Sequence, residues 1–496
     1  MKPTLLCALF LCGGCHFELH NSADLGDADL AVTDANVPLG DMAGGGSGMV
    51  CLPNATACAQ GALETCRGDG SGVVTTTCPL GCGSSGGVAH CQQLYPSAPV
   101  NAGGANDLDA TGVDAPVTLG ATTVVFDTAT GAIDDVTGAT SLRAANPVAN
   151  THAVDHHIAF RRSDNGVAIW TFAGLTISPT TTVIFQGAAS VALVSLADMS
   201  IGGVVDARGY GPAPARTLCL DNVAGPGGFA GGQASALVDG SGSGGGKGAA
   251  AANVAGGGGA GFAATGGKGG DNQANAGGGG GGVYGADNSL TPIGGGSGGG
   301  AGGSAGGGGT VGGSGGGGGG GVQLVALGVV TIDGSSSTKR GGVDVAGCGG
   351  HVGSGGTPVG GGGGGSGGAI LIEAPSVIIK PNGGLAANGG AGAGANSNDG
   401  TKDGKPGALD GNHATGGGAT PSGSGGGDGG ATGLLGGVAA TTGQAGGGGG
   451  GGGSSGRIRI KTANMAGLTL QTGALLSPGF GDQSMTAATQ GAVDIH

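Results

Sequence analysis

The sequence predicts an all-β protein in which a parallel β-helix, or β-solenoid, carries long glycine-rich loops and follows a small disulfide-rich module. Short apolar strands break directly out of glycine runs, as in residues 360–384, GGGGGGSGGAILIEAPSVIIKPNGG. A unit of such strands recurs from residue 189 onward, and six cysteines lie within residues 51–91. Because no segment shows a convincing helical period, the prediction contains no α-helices.

The N-terminal 15 residues resemble a lipoprotein signal peptide. Lys2 precedes the apolar stretch Leu5–Leu11, and two glycines precede Cys15. In that class of signal the cysteine is lipidated and becomes the mature N-terminus. The pattern departs from the usual one because Cys12 stands where a leucine is expected, so an ordinary cleaved signal peptide is the alternative. If Cys15 is lipidated, His16 after it implies the outer membrane of a Gram-negative cell.

Two segments are predicted to be linkers. Residues 16–50 combine acidic side chains with no lysine or arginine and end in GGGSG, which is typical of an extended, disordered tether. Residues 92–118 are rich in Ala, Asn, Pro and Gly and are predicted to be a second linker. The acidic residues of the tether are Glu18, Asp24, Asp27, Asp29, Asp34 and Asp41.

Residues 51–91 are predicted to be a disulfide-stabilised module. A segment this short cannot bury enough surface to fold on a hydrophobic core alone, and disulfides supply the missing stability in an exported protein. Zinc binding is the weaker alternative. A zinc site needs Cys-x2-Cys pairs, and the shortest cysteine spacing in this segment is Cys78-x3-Cys82. Six cysteines leave fifteen pairings open. They are Cys51, Cys58, Cys66, Cys78, Cys82 and Cys91.

Residues 119–496 are predicted to form the β-solenoid domain. A unit of two short strands around a small turn, followed by a polar or glycine corner, occurs at 189–209, 319–335, 367–384 and 453–473. Repeated units of this kind stack, because none buries its apolar face alone. In the third unit we expect Ile370, Ile372, Val377 and Ile379 to point inward. In the second unit the matching residues are Val322, Leu324, Val329 and Thr331 or their odd-even partners.

The glycine runs are predicted to leave one repeat and return to the next, with 222–321 as one large excursion that holds 48 glycines. Two alternatives remain at this stage. The excursion is either disordered or stacked as extended threefold helices with the geometry of polyproline II. Its composition resembles glycine-rich viral tip adhesins and antifreeze proteins, which implies the stacked form. Cys219 and Cys348 stand outside the module, either paired with each other or as buried free thiols.

Taken together, the signal, the tether, the cysteine module and the glycine-and-strand repeat resemble the glycine-rich surface lipoproteins of Gram-negative gliding bacteria. The resemblance covers nearly the whole chain and implies a surface location. By architecture alone the repeat domain also resembles the pectate-lyase-like superfamily, and a shared fold does not carry function.

Charge and hydropathy restrict the partners. The chain has a net charge of −14 and 17 Lys plus Arg, so no nucleic-acid partner is expected. No apolar run is long enough for a transmembrane helix, so the predicted membrane attachment is the lipid anchor only. We expect a polysaccharide or a cell-surface protein as the partner and leave the oligomeric state open.

Several motifs suggest chemistry, each with a simpler explanation. The G-x-S-x-G pattern around Ser297, Ser314 and Ser366 arises by chance in glycine runs, and residues 266–271 match only part of one calcium-binding nonapeptide. The cluster His152, Asp155, His156 and His157 is more simply a polar loop than a metal site. We therefore expect no catalytic residue, no metal site and no cofactor.

The sequence thus predicts a non-enzymatic surface protein with a structural or adhesive role. The alternative is a polysaccharide lyase or glycoside hydrolase on a β-helix, since these enzymes gather acidic and basic groups on an outward ladder. It requires three or more of the outward charged candidates to converge in one groove. These candidates are Asp206, Arg208, Asp333, Glu373, Lys380, Arg457, Arg459 and Lys461.

Overall fold

The fold is taken from a computed structural model of the 496-residue chain, which divides into two compact units, Met1–Cys91 and Gln92–His496. Residues 1–49, which include Cys15 and were predicted to be a signal peptide and most of a tether, lie outside the described residues. The structure describes residues 50–100, 107–136, 140–146, 152–236, 238–250, 254–272, 275–285, 289–305, 310–336, 339–354, 358–396, 399–441, 446–482 and 486–496.

The first unit contains the cysteine module. A three-stranded antiparallel sheet, β1–β2–β3, and a hairpin, β4–β5, are joined by disulfides that link the first cysteine to the third, the second to the fifth and the fourth to the sixth. With every cysteine of the module in a disulfide, no thiolate is left for zinc. The strands are Thr56–Ala59, Ala62–Cys66, Val73–Thr77, Cys82–Ser85 and Val88–Cys91, and the pairs are Cys51–Cys66, Cys58–Cys82 and Cys78–Cys91.

The second unit is built on three sheets whose central strands are parallel. The first sheet has the order β10-β9-β8-β15-β18-β21-β24-β27, the second β11-β12-β13-β16-β19-β22-β25-β28, and the third β26-β23-β20-β17-β14-β7. The first sheet comprises Thr123–Asp127 (β8), Ile133–Asp135 (β9), Thr140–Arg143 (β10), Thr182–Gln186 (β15), Val204–Asp206 (β18), Gly341–Asp344 (β21), Gly383–Ala386 (β24) and Leu475–Ser477 (β27).

The remaining elements complete the other sheets and the chain ends. The second sheet comprises Ala153–Asp155 (β11), Ile158–Arg162 (β12), Ala168–Phe172 (β13), Val191–Ser195 (β16), Gly321–Ala326 (β19), Ala369–Glu373 (β22), Arg457–Thr462 (β25) and Ala488–Ala492 (β28). The third comprises Val117–Leu119 (β7), Leu175–Ile177 (β14), Met199–Ile201 (β17), Val329–Ile332 (β20), Ser376–Ile379 (β23) and Leu468–Leu470 (β26). Leu94–Tyr95 (β6) pairs with Asp494–Ile495 (β29), and short 3-10 helices occupy Asp107–Asp109, Ala234–Ala236, Gly400–Lys402 and Met465–Gly467. No α-helix occurs in the part of the chain that the structure describes.

Three consecutive strands form a repeating layer, which we call a rung, with one strand in each sheet. The rungs are β13–β15, β16–β18, β19–β21, β22–β24 and β25–β27. The predicted two-strand unit is therefore wrong in one respect, because the segments expected to be corners contain a third strand. The third strand has no clear strand pattern in the sequence, because it is short and is glycine-rich in two rungs, as in Gly341–Asp344 and Gly383–Ala386.

The core lies between the three sheets and follows the predicted alternation. Ile370, Ile372, Val377 and Ile379 are fully buried in one apolar cluster, as predicted. Val322 and Leu324 join them in the rung before. On β20 the odd-even partners, Val330 and Ile332, point inward instead of Val329 and Thr331, and they pair in register with Val377 and Ile379.

Each end of the rung stack has its own additions. At the N-terminal end the antiparallel strands β8–β10 and β11–β12 extend two sheets, and Trp170 packs edge-on against Phe126 at 5.1 Å between ring centroids. Arg143 is fully buried there and donates to main-chain carbonyls, including that of Gly131 at 2.8 Å. At the C-terminal end β28 pairs with β25, so β28 and not β25 is the edge strand of the second sheet.

Three long excursions leave the rungs at the same position, after the third strand, and return at the first strand of the next rung. They span residues 207–320, 345–368 and 387–456. The last residue of each donates an N–H to the carbonyl of the first, at 2.9, 2.7 and 2.6 Å respectively. The pairs are Gly320 with Ala207, Gly368 with Val345 and Gly456 with Ala387.

The glycine-rich segments of these excursions are ordered in the described residues, and we call them together the glycine bundle. At its centre lies the run 360–368, in which every N–H donates to another segment in a strict rotation of three. Residues 360, 363 and 366 donate to 303, 300 and 297; residues 361, 364 and 367 donate to 448, 451 and 454; residues 362, 365 and 368 donate to 351, 348 and 345. A rotation of three residues per turn with no internal hydrogen bonds is the geometry of the polyproline II helix. Of the two alternatives for the glycine runs, the stacked one applies.

The carbonyls of the same run accept from three further segments. Residues 360, 363 and 366 accept from 313, 316 and 319, residues 361 and 364 accept from 257 and 260, and residues 362 and 365 accept from 393 and 390. The run 360–368 therefore has six neighbours. Packing is close enough that a Cβ on Gly364 would lie 2.1 Å from the carbonyl oxygen of Gly390. Glycine is required here because main chain meets main chain directly.

Residues 92–118, predicted as a linker, contain β6 and a 3-10 helix and run into β7. Within the excursions, Cys219 and Cys348 form a disulfide that bridges the first excursion to the second. The alternative of free thiols is thereby excluded.

Candidate functional site

The candidate site is a groove of about 760 Å³ on the outer face of the first sheet, where excursions enter and leave the rungs. Its floor comes from β15, β18 and β21, and its walls come from the β20–β21 connection and from the third excursion. The lining residues are Pro179, Thr180, Thr181, Thr182, Val204, Arg208, Ser335, Lys339, Arg340, Asp344, Ala408, Leu409 and Asp410.

Two carboxylates and one guanidinium form the floor. Parallel pairing of β18 with β21 places Asp206 directly beside Asp344, and both side chains are almost fully buried. Arg208 donates Nε to Asp206 at 2.9 Å and lies 3.3 Å from Asp344. Tyr210 donates its hydroxyl to Asp206 at 2.8 Å. The floor thus holds two acidic groups against one cation.

This imbalance shifts the pKa values of the cluster. Burial raises the pKa of Asp344 to about 7; Arg208 opposes the shift and the neighbouring Asp206 adds to it. Burial also raises the pKa of Tyr210 above its usual value. For Arg208 burial acts to lower the pKa, but Asp344 and Asp206 outweigh it and the net shift is upward. Asp344 is therefore a carboxyl that holds its proton close to neutral pH.

The cationic wall consists of Lys339 and Arg340. The Nη1 of Arg340 donates to the carbonyls of Pro381, Gly383 and Gly473 at 3.2, 3.3 and 3.1 Å. Within the described residues neither cation forms an ion pair. The guanidinium is held in place by main chain and is not neutralised by a carboxylate.

Of the predicted outward candidates, Arg208 lines this groove and Asp206 contacts it from below. The predicted set alone does not supply three converging groups. Asp344 supplies the third, and sequence analysis missed it. The signal was present, since VVD at 204–206 and GVD at 342–344 end two third strands in the same register.

Glu373 and Lys461 are predicted outward candidates that lie in a different place. Glu373 is fully buried and accepts from the main chain and hydroxyl of Ser97 at 3.0 and 2.7 Å and from Gln323 at 2.8 Å. Lys461 lies 3.3 Å from Glu373 and donates to the Ser97 hydroxyl at 2.6 Å. This network fastens the segment after β6 to the second sheet.

The other four candidates are also separated. Lys380 pairs with Asp333 at 3.3 Å, and Arg459 donates to Thr489 on β28 at 3.1 Å. Arg457 was expected on an exposed face with Arg459 and Lys461, and this is wrong. It is 1% exposed and lies over the Phe262 ring at 5.5 Å, because the glycine bundle covers that end of β25.

The histidine cluster divides among three carboxylates. His152 contacts Asp107 at 2.7 Å, His156 contacts its neighbour Asp155 at 2.9 Å, and His157 contacts Asp114 at 2.5 Å. His156 and His157 have φ values of 47° and 63°, which suits the two-residue turn between β11 and β12. The predicted polar loop is thus a hairpin, in which Asp155 ends β11 and only His156 and His157 form the turn. The described residues contain no group of three or more His, Cys, Asp or Glu placed to hold a metal ion.

The serine and calcium motifs belong to the glycine bundle. Ser297 and Ser366 are fully buried, and the hydroxyl of Ser366 accepts from the N–H of Ser297 at 2.9 Å. In the stretch 266–271, Lys268 pairs with Asp271 at 2.6 Å. Gly267 donates to the carbonyl of Gly452. The Ser297–Ser366 and Gly267–Gly452 hydrogen bonds join neighbouring segments, whereas the Lys268–Asp271 pair lies within one segment.

Comparison with known proteins adds no assignment, since no family model, no curated protein and no solved structure matches the chain. The four disulfides indicate an oxidising location, as in an exported protein. None of the helices in the described residues is long and apolar enough to cross a membrane.

Proposed function

We propose that this chain is an exported, non-enzymatic surface protein with a structural or adhesive role. In this proposal the rungs form a parallel β-helix, which supports the glycine bundle as a rigid body at the cell surface. Polysaccharide or a neighbouring cell is the contact. The disulfides support export.

The observation that carries the proposal is the six-neighbour packing of residues 360–368. A segment whose every N–H is bonded to another segment has little freedom to move, so the bundle keeps its shape. Its outer segments present side chains every third residue: in 264–272, Thr265 and Lys268 are exposed and Asp271 is partly exposed, while Gly267, Gly269 and Gly270 are buried. A rigid body with spaced outward side chains is suited to repeated contact with an extended surface.

Attachment to the outer membrane through lipidated Cys15 belongs to the same proposal. It rests on the signal-like N-terminus and on the resemblance to glycine-rich surface lipoproteins. Residues 16–50 would then separate the folded units from the lipid as an extended acidic tether.

The test is adhesion by cells that display the full chain. We expect cells with the wild-type chain to bind immobilised polysaccharide or one another more strongly than cells with the Cys15→Ser chain, which would be released from the surface. Surface labelling of the folded protein provides the control for display. If displayed, folded protein gives no adhesion above empty cells, the adhesive role is overturned.

A second function, polysaccharide cleavage, is favoured by one observation. Asp344 combines a pKa of about 7 with a buried position at the floor of the groove beside Asp206 and Arg208, and a raised carboxyl pKa is a property of a general acid. The test is to incubate the protein with polysaccharides and to measure newly formed chain ends. New ends with the wild-type chain that disappear in Asp344→Asn would establish an enzyme. No new ends across acidic and neutral chains would remove this candidate.

A further inference from the structure

The groove contains a cationic group that the fold positions but does not neutralise. Arg340 is fixed through Nη1 to three carbonyls of the adjoining turns. A guanidinium held in this way has lost little of its ability to bind a second group, because its planar fork still presents other N–H donors. Fixing it in advance reduces the entropy lost on binding an anion.

Lys339 is adjacent in sequence and lines the same wall. Of the nearby acidic residues, Asp333 pairs with Lys380 and Asp344 with Arg208, while Asp410 on the opposite wall accepts from the main chain and side chain of Asn412 at 2.9 and 3.2 Å. Lys339 and Arg340 therefore form a local positive patch on a chain whose net charge is −14. Such a patch selects an anionic group at one place without attracting polyanions over the whole surface.

The remaining lining suits sugar hydroxyls. Thr180, Thr182 and Ser335 supply hydroxyls, and Asp410 on the opposite wall supplies a carboxylate. No aromatic side chain is present among the lining residues that the structure describes, so binding would depend on hydrogen bonds and charge instead of ring stacking. At about 760 Å³ the groove is large enough for several sugar rings and much larger than a single inorganic anion requires.

We propose that this groove binds an acidic oligosaccharide, with Lys339 and Arg340 pairing with its carboxylate or sulfate groups and with the hydroxyls and Asp410 bonding to its sugar hydroxyls. The inference rests on the proposed adhesive function and names the site and the class of ligand. It requires no bond to be broken.

The test measures binding of the purified full chain to four probes at 0.15 M salt, a condition chosen so that weak surface attraction is screened. The probes are a galacturonate hexasaccharide, a heparin hexasaccharide, maltohexaose and inorganic phosphate. We expect one or both acidic hexasaccharides to bind, and maltohexaose and phosphate to bind at least about tenfold more weakly. The two acidic probes separate carboxylate from sulfate recognition.

The decisive variant is Lys339→Glu, because Lys339 is exposed and we expect its replacement to leave the fold intact. We expect at least about a tenfold loss of affinity for the acidic probe, as for removal of a charged contact. Lys247→Glu is the control for overall charge, since Lys247 is exposed and does not line the groove; because Lys247 pairs with Asp239 at 2.8 Å, the folding of this variant is checked as well. Arg340→Gln tests the fixed guanidinium, with its folding checked by circular dichroism.

Equal loss in Lys339→Glu and Lys247→Glu would overturn the inference, because binding would then follow overall charge. Equal binding of maltohexaose and the acidic probes would also overturn it. If the acidic probe binds and Lys339→Glu abolishes this but displayed cells do not adhere, the groove inference stands and the adhesive function fails. If cells adhere and neither acidic probe binds, the adhesive function stands and the groove inference fails.

Discussion

In the rungs, each inner strand is hydrogen-bonded to two neighbours and places alternate side chains in a shared core; in the glycine bundle, the central run has six neighbours and almost no side chains to bury. Ile372 on β22 is fully buried among apolar side chains. Gly364, a few residues earlier, is surrounded by main chain, with the Gly390 carbonyl where a Cβ would stand. The two regions are consecutive in the sequence, and both are held together by hydrogen bonds between main-chain N–H and carbonyl groups.

The comparison shows a trade-off: a segment with more hydrogen-bonded neighbours has less room for side chains. The main-chain hydrogen bonds of a strand lie in the plane of its sheet, which leaves the two faces of the sheet for side chains. A threefold helix directs its N–H and carbonyl groups around the whole axis, so a fully surrounded helix has no free face. The bundle gains backbone bonding and close contact but pays the conformational entropy of ordering glycine.

The largest effect should come from one methyl group at the centre of the bundle. We expect Gly364→Ala to lower the free energy of unfolding by more than about 3 kcal/mol, because the Cβ would lie 2.1 Å from a main-chain oxygen and six neighbours prevent relaxation. Urea unfolding measures the change. Gly282→Ala is the control, since a Cβ there meets nothing within 4 Å. Equal destabilisation by the two changes would show that packing does not require the central glycines.

Removing a side chain from the rung core should have a comparable or smaller effect. We expect Ile372→Ala to cost about 2 to 5 kcal/mol by leaving a cavity, as in other tightly packed cores. The same urea titration measures it, with Thr331→Ala as a control at a partly exposed position on β20. If Ile372→Ala destabilised only the glycine bundle, this would contradict one core shared by the rungs.

The disulfide between Cys219 and Cys348 links two excursions, and its removal tests how far the bundle holds itself together. We expect the double change Cys219→Ser and Cys348→Ser to cost about 2 to 4 kcal/mol, because the bond closes a long loop with a separation of 129 residues. Differential scanning calorimetry would measure the loss. An unchanged transition would mean that main-chain bonds between the excursions already restrict the chain fully.

Counted for one pH unit, the smallest effect concerns Asp344, at the junction of the two regions. Its pKa of about 7 lies above its unfolded value, so the folded state binds an extra proton between these values and the associated stability is lost as pH rises through 7. We expect the free energy of unfolding to fall as the pH rises from about 4 to 7, by at most about 1 kcal/mol per pH unit from this group, and to level off above pH 7. Asp344→Asn should flatten the curve. An identical pH dependence in both proteins would contradict the raised pKa.

Much of the rung core was predictable, because burial imposes a period of two that Ile370, Ile372, Val377 and Ile379 display openly. The short third strands were not, since Gly383–Ala386 has too few side chains to show a period. The glycine runs also lack a strict period of three, so the sequence alone did not decide between a disordered and a stacked excursion. In the structure the period disappears at the centre because all three faces are packed, and it reappears outside in Thr265, Lys268 and Asp271.

The candidate site was predictable only in part. Asp206 and Arg208 stand out as charged residues after a strand, but Asp344 was hidden by the glycines before it. Lys339 and Arg340 lie more than 60 residues from the opposite wall at Asp410, and long excursions separate most of the lining segments. Local patterns do not show which corners of successive rungs will face one another.

The closing hydrogen bonds of the excursions bear on how this protein can vary. Because Ala207 meets Gly320, and Val345 meets Gly368, each excursion begins and ends at one point of its support. A segment with adjacent ends is topologically an insertion, which can be lengthened, shortened or exchanged without moving the chain on either side. Additional glycine segments can therefore enlarge the bundle while the rungs stay the same. Related chains are expected to differ most in the number and length of these insertions and least in the strands between them.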